Sequence, residues 1–180
     1  MTAESTTTTT TKSRSAALID RYAMGGAILA YAASGLTREQ EQARPGPEAW
    51  SIAELVAHLL DTDLVLSDRM KRVISEDDPP LAAFDADAWT ARLNTRDSCV
   101  EEAVNLLTAN RHWMTRVLRR LNDADFAREG VHCRDGRITL AEILAKATHH
   151  IDHHLRFLYN KRSKLGVALP PRYSSEALKV

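Results

Sequence analysis

From Ala16 onward the chain repeats apolar residues at helical spacing, in four separable stretches. The first carries Leu18, Tyr22, Ile28, Leu29 and Ala32, is interrupted by Gly25 and Gly26, and ends near Gly35. The second opens at Ser51, where Glu54 completes a capping box that satisfies first-turn N–H groups. Ile52, Leu55, Val56, Leu59, Leu66, Met70 and Val73 then keep one face apolar until the acidic, proline-rich run from Glu76 to Pro80. A third runs from about Asp97 to Leu121 through Val100, Val104, Leu107, Met114, Val117 and Leu118. The fourth opens on a second capping box, Thr139 with Glu142, and continues through Leu140, Ile143, Leu144, Ala147, Ile151, Leu155 and Leu158 to about Lys164, with Gly166 as its stop. No alternation at period two is long enough to specify a strand, and no internal repeat is present. The pattern predicts an all-α four-helix bundle over residues 16–165.

The segments between are informative in different ways. Residues 1–15 are threonine-rich and nearly free of apolar side chains, so they read as a disordered tail. Thr37 to Ala49 carries two prolines around a glycine, a connection that delivers Trp50 to a helix start. Within the connection from Asp77 to Asn94, Phe84 and Trp89 predict a packed loop or short helical piece. Asp123 to Arg137 reads as a loop or tight turn, and residues 166–180 as a C-terminal arm.

Composition narrows the function. Lysine plus arginine equal aspartate plus glutamate at 24 each, so no overall field draws nucleic acid or an acidic membrane. Cys99 and Cys133 are too few for a disulfide framework and form no C-x-x-C pair, which reads as two reduced thiols. The apolar run Ala23 to Ala33 falls far short of the ~20 residues of a membrane span and follows a long polar stretch, so it is assigned to a buried helix and the protein to the cytoplasm.

Seven histidines are present, and four fall in HHIDHH, residues 149–154. Two i, i+4 pairs result, His149/His153 and His150/His154. At ~100° per residue from Ala147 the apolar face of this helix centres near +20°, with His154 at about −20° and His150 at about −60°. His149 and His153 point the other way. An inward pair of imidazoles one turn apart is a bidentate metal site awaiting a ligand from a facing helix. His58, on the flank of the second helix's apolar face, is a candidate; by itself a lone histidine there is more often a hydrogen-bonded boundary residue than a ligand. His112 and His132 show no partner in the sequence.

The segments LIDRY (18–22), GLTREQ (35–40) and RPGPEAWSIAELVAHLLDTD (44–63) resemble the opening of the DinB-like superfamily, whose mark is a tryptophan at a helix start and a histidine eight residues on, here Trp50 and His58. DGRITLAEILAKATHHIDHHL (135–155) resembles the helix that carries its H-x-x-x-H pair, and FDADAW (84–89) its mid-chain aromatic segment. The similarity is greatest to the branch of bacillithiol transferases and metal-dependent hydrolases, in which an aspartate three residues and an arginine eleven residues after the first histidine recur; Asp61 and Arg69 stand there. The resemblance implies metal ligands at His58, His150 and His154.

Three imidazoles leave coordination positions open, the arrangement of a catalytic site; histidine ligands suit zinc, nickel, iron and copper alike, with zinc or nickel the favoured reading. The resemblance implies that the ion activates a low-molecular-weight thiol, such as bacillithiol or mycothiol, for transfer to a small electrophile. Arg69 would pair with an anionic group of thiol or substrate, and Asp61 would orient a ligand histidine or serve as a surface carboxylate. The alternatives are hydrolysis by bound hydroxide and a non-catalytic metal-binding or stress-response bundle. A homodimer is expected from the same resemblance.

Overall fold

The structure, a computed structural model, describes residues 5–46 and 49–175, with side chains from residue 15. In chain order the elements are α1 (Ser5–Ala33), α2 (Arg38–Gln42), α3 (Ile52–Ser75), β1 (Pro80–Leu81), α4 (Ala86–Arg92), a single 3₁₀ turn (Thr95–Asp97), α5 (Val100–Leu118), α6 (Asp123–Phe126), β2 (Glu129–His132), β3 (Gly136–Thr139) and α7 (Leu140–Lys164). The four long helices are those expected. No helix among the described residues is long and apolar enough to cross a membrane.

Both capping boxes form as read. The Ser51 hydroxyl accepts from the Glu54 N–H while the Glu54 carboxylate accepts from the Ser51 N–H at 2.7 Å, and Thr139 with Glu142 repeats the arrangement. Helices α1 and α3 each pack against α5 and α7, so α3 lies diagonally across the bundle from α1 and side by side with α7. That adjacency decides the site, because it faces the helix of His58 with the helix of His150 and His154. Two apolar clusters fill the interior, one around Leu29, Ile52, Leu59, Leu107 and Leu155, the other around Tyr22, Met70, Met114, Leu140 and Leu144.

Several boundaries differ from the expected ones. Helix α1 runs back to Ser5, into the stretch read as a tail, because a helix nucleated by its packed part extends at little further cost. Among its described side chains the first buried one is Ile19, and residues 1–4 lie outside the described residues. The connection after α1 contains α2, capped by Thr37 with Gln40. Trp89 lies on a short helix, α4, with Asp85 as its N-cap, and Phe84 just before it packs against that ring, centroids 5.0 Å apart.

The loop expected over 123–137 holds a small sheet instead, in which β2 pairs antiparallel with β3 and parallel with β1, Leu81 opposite His132. Strands of two to four residues leave no alternation to read. The C-terminal arm folds back on the bundle as far as residue 175: Ser174 donates to Asp152 from its N–H at 2.9 Å and its hydroxyl at 2.8 Å, and Arg172 lies 3.9 Å over the Tyr31 ring.

Candidate metal centre

His58 sits about two turns into α3 and is buried at 8% exposure, whereas His150 and His154 stand one turn apart on α7. One ligand-capable atom from each of the three lies within 4.8 Å of the others. The Nε2 atoms of His58 and His150 are 3.1 Å apart, and the ring centroids of the three lie 4.4–5.0 Å from one another. Nitrogen ligands about 2.0–2.1 Å from a tetrahedral ion are separated by roughly 3.3 Å, so the observed spacing fits one divalent ion. No cysteine or carboxylate joins the cluster among the described residues. The wheel assignment holds for the other pair, since His149 and His153 are exposed.

Burial governs the electrostatics. His150 is pushed down to about 3, by desolvation first and then by the charges His154, His58 and Arg111 would carry beside it. Desolvation, then His58 and His153, lower His154 to about 4. His58 is also lowered by burial, partly opposed by the Asp87 carboxylate. All three rings are therefore neutral at pH 7, the state in which imidazole binds a metal.

A pH dependence follows with a definite sign. The unfolded chain takes up these protons near pH 6.5 and the folded chain only near 3 to 4, so between those values the unfolded state binds more protons. Stability of the metal-free protein should be level above about pH 6.5 and decline as the pH falls below it, by on the order of 2 kcal/mol at pH 5 for His150 alone. Denaturant titrations at a series of pH values check this; a flat profile from pH 7 to 5 would contradict the buried, neutral triad.

Around the triad, the Trp50 ring lies 5.1 Å from that of His58 and the Phe157 ring 5.7 Å from that of His154. His154 borders a cavity of about 430 Å³ whose other walls include Trp50, Asp87, Phe157 and Lys161. Lys161 donates to the Trp50 carbonyl, tying α7 to the entrance of α3. The sequence pattern does not single out Asp87, Phe157 or Lys161; the first lies on α4, within the segment that reads as a packed loop or short helical piece.

Asp61 and Arg69 are not gathered as the triad is. Asp61 lies one turn beyond His58, half-buried, and burial raises its carboxyl above the usual range. It does not orient a ligand ring, because Nδ1 of both His58 and His154 is buried without a hydrogen-bond partner. Arg69 is eleven residues on, roughly 16 Å along α3 from His58, and lines a separate groove. Cys99 and Cys133 are free and exposed, as read.

Comparison with known proteins adds to this geometry. A family model described as the DinB superfamily matches residues 22–158. A protein of Oceanobacillus iheyensis named "Putative metal-dependent hydrolase" is 29% identical over 107 residues, 59% of this chain and 61% of that protein. The chain thus spans about three fifths of that relative's length. One of the same name from Geobacillus thermodenitrificans is 28% identical over 139 residues, covering 75% of this chain and 76% of its own. Among solved structures, YfiT from Bacillus subtilis, described as "a probable metal-dependent hydrolase with an unusual four-helix bundle topology", superposes with a TM-score of 0.81 at 23% identity, covering 92% of this chain and 93% of that one. A DinB-like protein of Bacillus subtilis gives a TM-score of 0.63 at 15% identity, covering 87% and 96%. These two likenesses concern the fold.

Proposed function

The chain belongs to the DinB superfamily, and from that premise we propose that it is a metal-dependent enzyme whose His58, His150 and His154 hold one zinc or nickel ion and bring a low-molecular-weight thiol to a small electrophile. The observation that carries this reading is the convergence of three neutral imidazoles from two adjacent helices, with no further protein ligand beside them among the described residues. A divalent ion bound there supplies a Lewis acid that keeps a coordinated thiol deprotonated and lowers the pKa of water toward about 7.

The chain's own residues do the rest. Trp50 and Phe157 pack against two of the three rings and fix their planes. The cavity beside His154 has an apolar wall for the electrophile and the Asp87 carboxylate at its edge. Asp61, half-buried with its proton affinity raised, is the proposed acceptor of the thiol's proton.

A second reading, hydrolysis with water as nucleophile, is favoured by the names of the curated relatives. Thiol dependence separates the two. Metal-loaded protein is expected to convert an aryl halide or epoxide at a rate that rises and saturates with added bacillithiol, mycothiol or glutathione, and not at all without a thiol. Ester or amide cleavage that ignores thiols and is lost in His154→Ala would replace this proposal with the hydrolytic one, and inactivity in both assays would leave a non-catalytic bundle.

A further inference from the structure

His58 reaches the triad through Nε2, which stands 3.1 Å from Nε2 of His150. A neutral ring that offers its lone pair there carries its proton on Nδ1. That Nδ1 is buried and has no hydrogen-bond partner among the described residues. A histidine that binds a metal almost always donates its second ring N–H to an acceptor, which fixes the tautomer and the plane of the ring. The Trp50 indole beside His58, at 5.1 Å between ring centroids, has only a donor to offer.

One turn further along α3 a second polar atom is in the same position. Thr62 is 8% exposed, as is His58, and its Oγ1 is buried without a hydrogen-bond partner among the described residues. A threonine within a helix commonly gives its hydroxyl to the carbonyl four residues back, and Thr108 and Thr148 do so, at 2.8 Å to Val104 and 2.9 Å to Leu144. The carbonyl four residues back from Thr62 belongs to His58, and Thr62 does not use it. Residues four apart share a helix face and side chains tilt toward the helix N-terminus, so Thr62 leans toward the ring of His58. Cβ atoms so placed are about 5–6 Å apart, a spacing that one water molecule held by polar atoms on both sides bridges. His154 has no such neighbour: its Nδ1 is orphaned too, but His150, Ile151, Phe157 and Leu158, one turn to either side, carry no hydroxyl.

We propose that Thr62 is a positioning residue of the metal centre, and that one internal water accepts the Nδ1–H of His58 and donates to the Thr62 hydroxyl oxygen. The bridge satisfies two buried polar atoms at once. It also keeps the His58 proton on Nδ1, leaves Nε2 free for the ion, and holds the ring plane toward His150 and His154. The inference rests on the reading of the triad as a metal site and holds whether a thiol or water is activated there.

The test measures zinc affinity by competition with a chromophoric chelator, and the tautomer of His58 by ¹⁵N-histidine NMR on the metal-free full-length chain. In the wild type His58 is expected in the Nδ1–H form. Thr62→Val keeps the shape of the side chain without its hydroxyl; it should weaken zinc binding about tenfold or more and leave His58 a mixture of both tautomers. Thr62→Ser keeps the hydroxyl and should bring both readouts back near the wild type. Wild-type affinity and tautomer in Thr62→Val would overturn the proposal, and so would a loss that Thr62→Ser shares, which would assign Thr62 to packing alone. A wild type that takes up no zinc removes the metal reading and this inference with it, whereas zinc held equally by wild type and Thr62→Val removes this inference alone.

Discussion

Replacing His58, His150 or His154 by alanine is expected to remove the divalent ion, while His153→Ala keeps about one ion per chain. Each ligand contributes a short bond to a shared ion, and with two imidazoles left the site competes poorly with water and buffer. The His153 ring stands beside that of His154 at 5.1 Å but is exposed and outside the cluster, which makes it a matched control for the loss of a histidine on α7. Metal analysis by mass spectrometry after supplying zinc or nickel reads the result directly. The alanine variants should remain folded, since the rings lie at the edge of a large apolar core, and turnover should fall by on the order of 10³ or more. A wild-type chain that stays empty in excess metal would sink both the thiol and the hydrolytic readings.

The largest effect on stability is expected at Arg111, a side chain 1% exposed at the centre of the bundle. Its Nε donates to Asp63 at 2.7 Å, its Nη1 to the Tyr22 carbonyl at 3.0 Å and its Nη2 to the Ala147 carbonyl at 2.8 Å. Asn110 donates to the other Asp63 oxygen at 2.8 Å and to Ser67 at 2.7 Å. Arg111→Met should cost about 3–5 kcal/mol, because it strands the Asp63 carboxylate in the interior. The double variant Asp63→Leu with Arg111→Met should recover much of that loss, since removing both charges ends the mismatch. Denaturant unfolding measures both; a single-variant cost under about 1 kcal/mol would show that the pair adds little.

That network also explains Gly25. A Cβ there would come within 2.1 Å of Arg111 Nη1, so the glycine makes room for the guanidinium. Gly26 allows α1 to approach α5 at Thr108, where a Cβ would meet the hydroxyl at 2.6 Å. What reads in one dimension as a weak spot in a helix is a close approach in three.

Arg111 reaches α7 one turn before His150, and Asp63 follows His58 on α3. The pair thus holds together the two helices that supply the metal ligands, so Arg111→Met should loosen metal binding as well as the fold. A signal for it was present in the sequence. Arg111 falls between Leu107 and Met114 on the apolar stripe of α5, and Asp63 between Leu59 and Leu66 on that of α3. Charges of opposite sign on two buried stripes are a pair in waiting.

The sequence by itself determined the four long helices, both capping boxes and the inward direction of His150 and His154, because each depends on spacing within one helix and on local hydrogen bonds. It also carried the family likeness through Trp50 and His58. Tertiary structure alone decided that α3 lies beside α7 rather than beside α1, for helix order in a bundle is set by which apolar faces fit together and not by any one face. Only that packing turned His58 from a boundary histidine into the third member of a triad. The short sheet and the orphaned Nδ1 of His58 and Oγ1 of Thr62 were likewise invisible in one dimension, because strands of two to four residues have no period and a missing partner is a property of the surroundings.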